Sequence, residues 1–246
     1  MHQKIVAMRI GIMQPYFFPY IGYFSLIKHT EKFILLDEVQ FIRHGWIERN
    51  RIVKQTGGWQ YFQVPIIKPQ GRDTLIKDIK INNNENWQGR ILAQLQHYKK
   101  RAPFYNQTVD LLKCVFASEY DDIVQLNKSS LSHSCEYLGI NTPILVFSEM
   151  NLTIQPVTSA DEWALNICKA IEGVSEYWNP VGGESFFDPQ KYQQAGIDLL
   201  FQHMDISPYN QFTGTFEPGL SIIDVLMYNS VNEVNQMLDK FTMVSL

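Results

Sequence analysis

Short apolar runs alternate with stretches of helical spacing along this chain, and that alternation sets the first expectation. Met8–Met13 is an apolar run stopped by Gln14-Pro15. A proline cannot donate to a sheet ladder, so the run reads as a buried strand that ends there. Tyr20–His29 then places Ile21, Phe24 and Ile27 at helical intervals. Phe33–Leu36 is a second apolar run, stopped by Asp37. Strand, helix, strand in this order predicts a right-handed parallel unit.

The middle of the chain changes period. Trp46–Lys54 and Trp59–Ile67 flank Gly57-Gly58, which predicts an antiparallel hairpin. Leu75, Lys77, Ile79 and Ile81 alternate and predict a further strand over Leu75–Ile81. Residues 45–82 therefore read as a small antiparallel β insert. Helical spacing returns with Trp87, Ile91, Leu95 and Tyr98, then over Phe104–Ala117 and over Ile123–Leu138, which Gly139 closes. Residues 84–139 read as a helical segment. Beyond it, Ile144–Phe147, Glu176–Trp178 and Ile197–Phe201 read as strands. A helix opens at Ser159-Ala160-Asp161-Glu162, which has capping-box spacing, and closes at Gly173. Another runs over Phe187–Ala195 to Gly196, and Ile222–Tyr228 and Val231–Phe241 read as two final helices. The prediction is one α/β domain over residues 1–246, with a mostly parallel, doubly wound sheet of Rossmann-like, nucleotidylyltransferase-like type.

Composition narrows the partners. The chain is 45% hydrophobic and 19% charged, which argues for a substantial core and against disorder. A net charge of -4 gives no sign of the basic face that DNA would need. Cys114, Cys135 and Cys168 are far apart, and the histidines form no ligand pair, so reduced thiols and no structural metal are expected. No apolar run approaches the roughly 18 residues of a membrane span. Met1–Ala7 lacks the apolar stretch of a signal peptide and reads as an extension before the first strand. A cytoplasmic protein without membrane insertion is expected.

Candidate chemistry lies at the strand ends, because ligands of open parallel sheets bind beyond the carboxyl ends of the strands. The first strand ends in Gln14-Pro15-Tyr16. The second ends at Asp37, with Gln40 close by. A later one runs into Pro180-Val181-Gly182-Gly183-Glu184, and the last into Gln202-His203, with Tyr209-Asn210-Gln211 following. Each alone is ordinary loop chemistry; together they suggest one rim. Gly22, between Tyr20 and Tyr23, would let a ligand approach a helix N-terminus, where free N–H groups suit phosphate. Nucleotidylyl-transferring folds use His-x-Gly-His at such a place, and here tyrosines fill both histidine positions. The alternative is an aromatic cluster with Tyr16, Phe17 and Phe18. Arg49 and Arg51 flank Asn50 just after Trp46 and would suit carboxylate or phosphate; the alternative is an exposed charged strand. Asp37 and Glu38 could hold Mg²⁺ together with substrate phosphates. Ser221 and Asp224 open a helix after Pro218-Gly219, where capping by Ser221 suffices to explain them. There is no nucleophile elbow, Walker loop or dinucleotide fingerprint.

Several blocks resemble one family. Met13-Gln14-Pro15-Tyr16-Phe17-Phe18-Pro19-Tyr20-Ile21-Gly22-Tyr23, then Asp37-Glu38-Val39-Gln40-Phe41 and Trp46 through Ile52, are similar to the opening blocks of WbqC-like proteins. Gly182-Gly183 with Phe187-Asp188, then Tyr209-Asn210-Gln211, and Phe216 through Leu226 resemble its later blocks. The chain departs from the family at Glu48, where Asn is commoner, and at Asn179-Pro180, where Ser-Gly is frequent. The resemblance implies a bacterial protein of O-antigen or other surface-polysaccharide biosynthesis. It also implies acyl transfer, for instance of glycine, to the amino group of a nucleotide-linked deoxyamino sugar. On that reading Tyr20, Gly22 and Tyr23 would hold phosphates, and Arg49 and Arg51 would neutralise charge. Asp37 or Glu184 would orient or deprotonate the amine. Gln14, Pro15, Tyr16, Gln40, Trp46, Asn50, Gly182, Gly183, Tyr209, Gln211, Ser221 and Asp224 would contact substrate or nucleotide. ATP with Mg²⁺ is the expected cofactor pair if the acid is activated on the enzyme, and aminoacyl-tRNA the donor if it is not. Two alternatives stay open: a nucleotidylyl transferase acting on a sugar phosphate, and a non-catalytic partner of polysaccharide enzymes that docks through Trp46, Trp59 and Tyr61.

Overall fold

The computed structural model describes residues 8–245 except Gln70 and Thr213. The extension expected at Met1–Ala7 lies outside the described residues. The architecture is α/β. A six-stranded sheet is built from β1 (Met8–Met13), β2 (Lys32–Leu35), β5 (Ile144–Val146), β6 (Val174–Pro180), β7 (Asp198–Met204) and β8 (Phe241–Ser245). Its order is β5-β2-β1-β6-β7-β8. The first five strands are mutually parallel, and β8 pairs antiparallel with β7. The chain thus lays down the centre first, winds outward through β2 to β5, and then returns to the other side of β1 with β6 and β7. The winding reverses between β1 and β6, and such a switch point leaves a crevice outside the strand ends.

Alternation along the strands supplies both faces. Phe33 and Leu35 of β2 point into one apolar cluster, with residues of α1 (Ile21–Lys28), α4 (Ile123–Leu138) and α8 (Val231–Leu238). Ile34 points into the other, with Ile10 and Ile12 of β1 and residues of α5 (Glu162–Ala170) and α6 (Pro189–Ala195). Gly11 admits the Phe33 ring, which would lie 2.8 Å from a Cβ at that position.

Strands β3 (Arg49–Val53) and β4 (Trp59–Gln63) form a separate antiparallel pair. Their turn uses Gly57 and Gly58 at φ +93° and +69°, a region closed to most side chains. Helices α2 (Trp87–Gln94), α3 (Tyr105–Phe116) and α4 follow, and α7 (Ile222–Tyr228) precedes α8.

The structure differs from the sequence reading in two elements. Leu75–Ile81 is not a strand. It holds a 3₁₀ turn over Ile76–Asp78 and touches its neighbours through single bridges, Gln40 to Leu75 and Ile66 to Ile81. Ile76 and Ile79, three residues apart, are its deeply buried pair, so the working period is that of a 3₁₀ turn. The final helix stops at Leu238, and Phe241–Ser245 is an edge strand. Phe241 fixes that edge by packing on His29 and Trp178.

Candidate functional site

The site begins where β1 hands its chain over the sheet edge. Between Gln14 and Phe18 the carbonyls of Gln14, Pro15, Phe17 and Phe18 each receive a side-chain donor. Tyr23 Oη donates to the Gln14 carbonyl at 2.7 Å. Asn127 Nδ2, from α4, donates to the carbonyls of Pro15 at 2.8 Å and Ile47 at 2.9 Å. Asn50 Nδ2 donates to those of Phe17 and Phe18, both at 3.1 Å, and Ser221 Oγ donates to Phe18 at 2.6 Å. Phe18 sits at φ 39°, a costly conformation for a residue with a side chain. The surrounding amide and hydroxyl donors overdetermine it.

This frame bounds a cleft with two lobes. The first, of about 540 Å³, lies between the start of α1, strand β3 and the segment after β6. The second, of about 670 Å³, lies between the end of β2, α5 and the same segment. Met13, Tyr16, Asn179, Gly182 and Gly183 line both. The cleft therefore stands at the switch point between β1 and β6. Its volume is ample for small-molecule ligands.

The expected site residues divide into three groups. Tyr16, Tyr20, Trp46, Asn50, Arg51, Gly182 and Gly183 line the first lobe. Gln14 and Gln40 line the second. The rest do not line either lobe. Pro15 is buried below the rim and contributes its carbonyl to Asn127. Tyr23 is buried and committed to Gln14. Gly22 lies beneath the Tyr20 ring, which would come within 2.5 Å of an added Cβ, so that ring covers the helix start. Arg49 turns away to stack on Tyr61, with its guanidinium carbon 3.9 Å from the ring centroid, and donates to the His44 carbonyl. Asp37 is buried and accepts from Ser148 N at 3.0 Å and Ser148 Oγ at 2.6 Å, tying β2 to the turn after β5. Burial pushes its carboxyl above the usual range, against the pull of those donors. Glu184 belongs to the 3₁₀ segment Val181–Phe186 and faces neither lobe.

Asp224, Tyr209 and Gln211 form a wall brace behind the cleft. The Asp224 carboxylate is fully buried and accepts from Tyr98 Oη at 2.5 Å, Tyr209 Oη at 2.6 Å, Gln211 Nε2 at 3.1 Å and Val53 N at 3.3 Å. No cation pairs with it among the described residues. Burial pushes its carboxyl up, and its tyrosine partners' hydroxyls lie well above their usual range, first through their own burial and then through the carboxylate. Ser221 caps α7 through Ile223 N, and its own N–H donates to the Arg51 carbonyl at 2.9 Å.

Charge is divided between the lobes. Arg51 is the charged side chain of the first, and no carboxylate of the described residues pairs with it. Glu38 is the charged side chain of the second, 2.5 Å from Lys77 Nζ. No group of three acidic, His or Cys side chains able to hold a metal occurs among the described residues. A magnesium ion here would have to come with substrate phosphates, because Glu38 alone among the described residues reaches the cleft with a carboxylate and Asp37 is spent on Ser148.

The model of the WbqC-like protein family matches residues 14–236, which take in the lining of both lobes apart from Ile12 and Met13. The chain belongs to the WbqC-like protein family. It is 28% identical over 221 residues to an uncharacterized protein of Mycobacterium tuberculosis, Rv1507c, with 89% of this chain and 92% of that protein covered. No solved structure matches the chain. No helix among the described residues is long and apolar enough to cross a membrane.

Other residues that build the site of this WbqC-like protein carried little signal in the sequence. Asn127 holds the turn from the middle of a helix, where a polar residue reads as solvent-facing, yet it is fully buried. Asn179 lines both lobes and donates to Tyr177 Oη at 2.6 Å. Its one signal was the Asn-Pro pair ending a strand. Trp163 of α5 and the consecutive pair Phe186 and Phe187 after β6 make the aromatic side of the second lobe.

Proposed function

We propose that this protein is a transferase of bacterial surface-polysaccharide biosynthesis. It acylates the amino group of a nucleotide-linked deoxyamino sugar, with glycine or another aminoacyl group as the unit transferred. The family membership supports the biosynthetic role. The observation that carries the reaction type is the pair of lobes with a shared wall, since group transfer needs two substrates side by side with their reacting atoms in contact. In the step itself, the sugar amine adds to the acyl carbonyl and a C–N bond forms. The bond from the carbonyl carbon to the leaving oxygen breaks, and the amine gives up a proton. On this reading Glu38, the lobes' carboxylate among the described residues, takes that proton or orients the amine through the oxygen that Lys77 does not hold, since Lys77 Nζ donates to its Oε1 at 2.5 Å. Asp37 and Glu184 are less suited, the first because Ser148 occupies it and the second because it faces neither lobe. The leaving oxygen belongs to an adenylate if ATP activates the acid, and to a ribose if aminoacyl-tRNA is the donor.

The test is mass spectrometry of dTDP-, UDP- and GDP-linked amino sugars after incubation with the purified protein. One set of reactions contains amino acid with Mg-ATP, and the other aminoacyl-tRNA. The expected result is an amide product in one set, lost in Glu38→Gln. Pyrophosphate release from a nucleoside triphosphate and a sugar phosphate, with no amide formed, would transfer the assignment to nucleotidylyl transfer. No turnover in any set would favour a non-catalytic partner.

A further inference from the structure

Arg51 has an environment unlike that of the other arginines in the chain. Its guanidinium carbon lies 5.2 Å from the Trp46 ring centroid and 5.0 Å from that of Trp59. Its Nη2 donates to the Gly219 carbonyl at 3.3 Å, and its Nε is buried with no partner. By contrast, Arg9 and Arg90 are spent on Glu31 and Glu85, and Arg49 on Tyr61 and the His44 carbonyl. Two indole rings and a carbonyl therefore hold a positive charge at the wall of a cavity, with donor capacity left over and no anion among the described residues to use it. Flanking aromatic surfaces strip water from the cation without neutralising it, which strengthens its attraction for an incoming anion. The remaining wall of that lobe is formed by neutral side chains such as Tyr16, Tyr20, Asn50 and Asn179, and by Gly182, where a Cβ would meet nothing within 4 Å. The anion meets no opposing carboxylate there.

We infer that the first lobe is a diphosphate subsite and that Arg51 is its anchor, resting on the two-substrate reading of the cleft. The fork of a guanidinium suits two phosphate oxygens at once. A nucleoside diphosphate bound there places its phosphates at Arg51 and its sugar towards the shared wall at Tyr16 and Asn179. The amine then points into the second lobe, where Glu38 stands. Charge thus sets the direction of the substrate across the switch point.

The same diphosphate chemistry is offered by a sugar nucleotide and by ATP. Isothermal titration calorimetry of the whole protein with UDP, dTDP and ADP, and with uridine, thymidine and adenosine as the phosphate-free controls, separates the sources. At least one diphosphate binds, and it does so at least tenfold more tightly than its nucleoside. In Arg51→Gln that affinity falls about ten- to a hundredfold, the loss expected for a charge-assisted hydrogen bond. Arg51→Lys, which keeps the charge and loses the fork, falls between the two. Arg49→Gln binds like the wild type. Preference for a pyrimidine diphosphate assigns the subsite to the sugar nucleotide, and preference for ADP assigns it to acyl activation. Each nucleoside binding as tightly as its diphosphate would overturn the inference without recourse to any variant, as would unchanged affinity in a folded Arg51→Gln. If UDP binds through Arg51 and no acyl transfer is found, the transfer reading falls and the subsite stands. If transfer proceeds in Arg51→Gln with unchanged KM, the reverse holds.

Discussion

At the scale of the residue, the signature segment after β1 proves to be largely a device for holding backbone. Asn50, Ser221 and Asn127 spend their donors on the carbonyls of Pro15, Phe17, Phe18 and Ile47. A sequence shows that such residues are unusual and cannot show which way an amide points. That is why Arg49 and Arg51, equal in the sequence, separate in the structure into a packed cation and a cleft-facing one. Asn127→Ala leaves two buried carbonyls without their donor. At about 1–3 kcal/mol for each orphaned group, a loss of about 2–6 kcal/mol is expected. Urea unfolding checks it, and a loss below about 1 kcal/mol would mean that water reaches those carbonyls. Gly22→Ala probes a different contact. The added methyl would collide with the far end of the Tyr20 side chain, which can swing away, and alanine itself favours the helix by up to about 1 kcal/mol. Stability should therefore change little, while nucleotide binding in the first lobe weakens as Tyr20 leaves the wall. Unaltered binding would show that the position of this ring is immaterial to the ligand.

At the scale of the element, the strand and helix alternation was readable wherever burial is deep, on both faces of β1 and β2 and on one face of α4. It failed where burial is shallow or the period is short. Strand β8 exposes much of its length at a sheet edge, and the 3₁₀ turn at Ile76–Asp78 buries residues three apart. The start of α5 was read through its Ser159–Glu162 spacing, and Glu162 does receive the N–H groups of Thr158 at 2.8 Å and Ser159 at 3.3 Å. The helix itself begins later, at Glu162, because Ser159 Oγ turns to Asp161 instead of to the helix. Hydrogen bonds from Thr158, helped by Lys191, lower the Glu162 carboxyl to about 2. A folded value below the unfolded one means that this stabilisation is present above about pH 4.3 and is lost as the pH falls towards 2. Glu162→Gln should lower the urea midpoint at pH 6 and make the decline between pH 4.3 and 2 shallower than in the wild type. Parallel declines in the two proteins would show that Glu162 does not carry this linkage.

At the scale of the whole molecule, the order β5-β2-β1-β6-β7-β8 explains why residues from Gln14, Glu38, Arg51, Trp163 and Gly182 meet. Each belongs to a connection that crosses the carboxyl ends near β1 and β6. The sheet type and the rim at the ends of β1, β2 and β6 were legible because those ends carry proline, glycine and amides; the end expected at Gln202-His203 was not one, since β7 runs through both residues to Met204 and neither lines a lobe. The division into two lobes was not, since it depends on how the β3–β4 hairpin leans on the loop near Gly219, a contact 168 residues apart in sequence. Gly182 offers the most direct test of the central claim, that the switch-point cleft is the substrate site. It lines both lobes, and a side chain there meets no neighbouring atom within 4 Å of its Cβ, so Gly182→Trp should fill the cleft and leave the fold intact. The measurement is thermal unfolding of both proteins with and without the panel of sugar nucleotides. A ligand at about 100 times its Kd adds about 2.7 kcal/mol, a rise of about 5–10 °C for a chain of this size. The account predicts that rise in the wild type and its absence in Gly182→Trp, whose unliganded midpoint matches the wild type. An equal rise in both proteins would place the substrate elsewhere and contradict it.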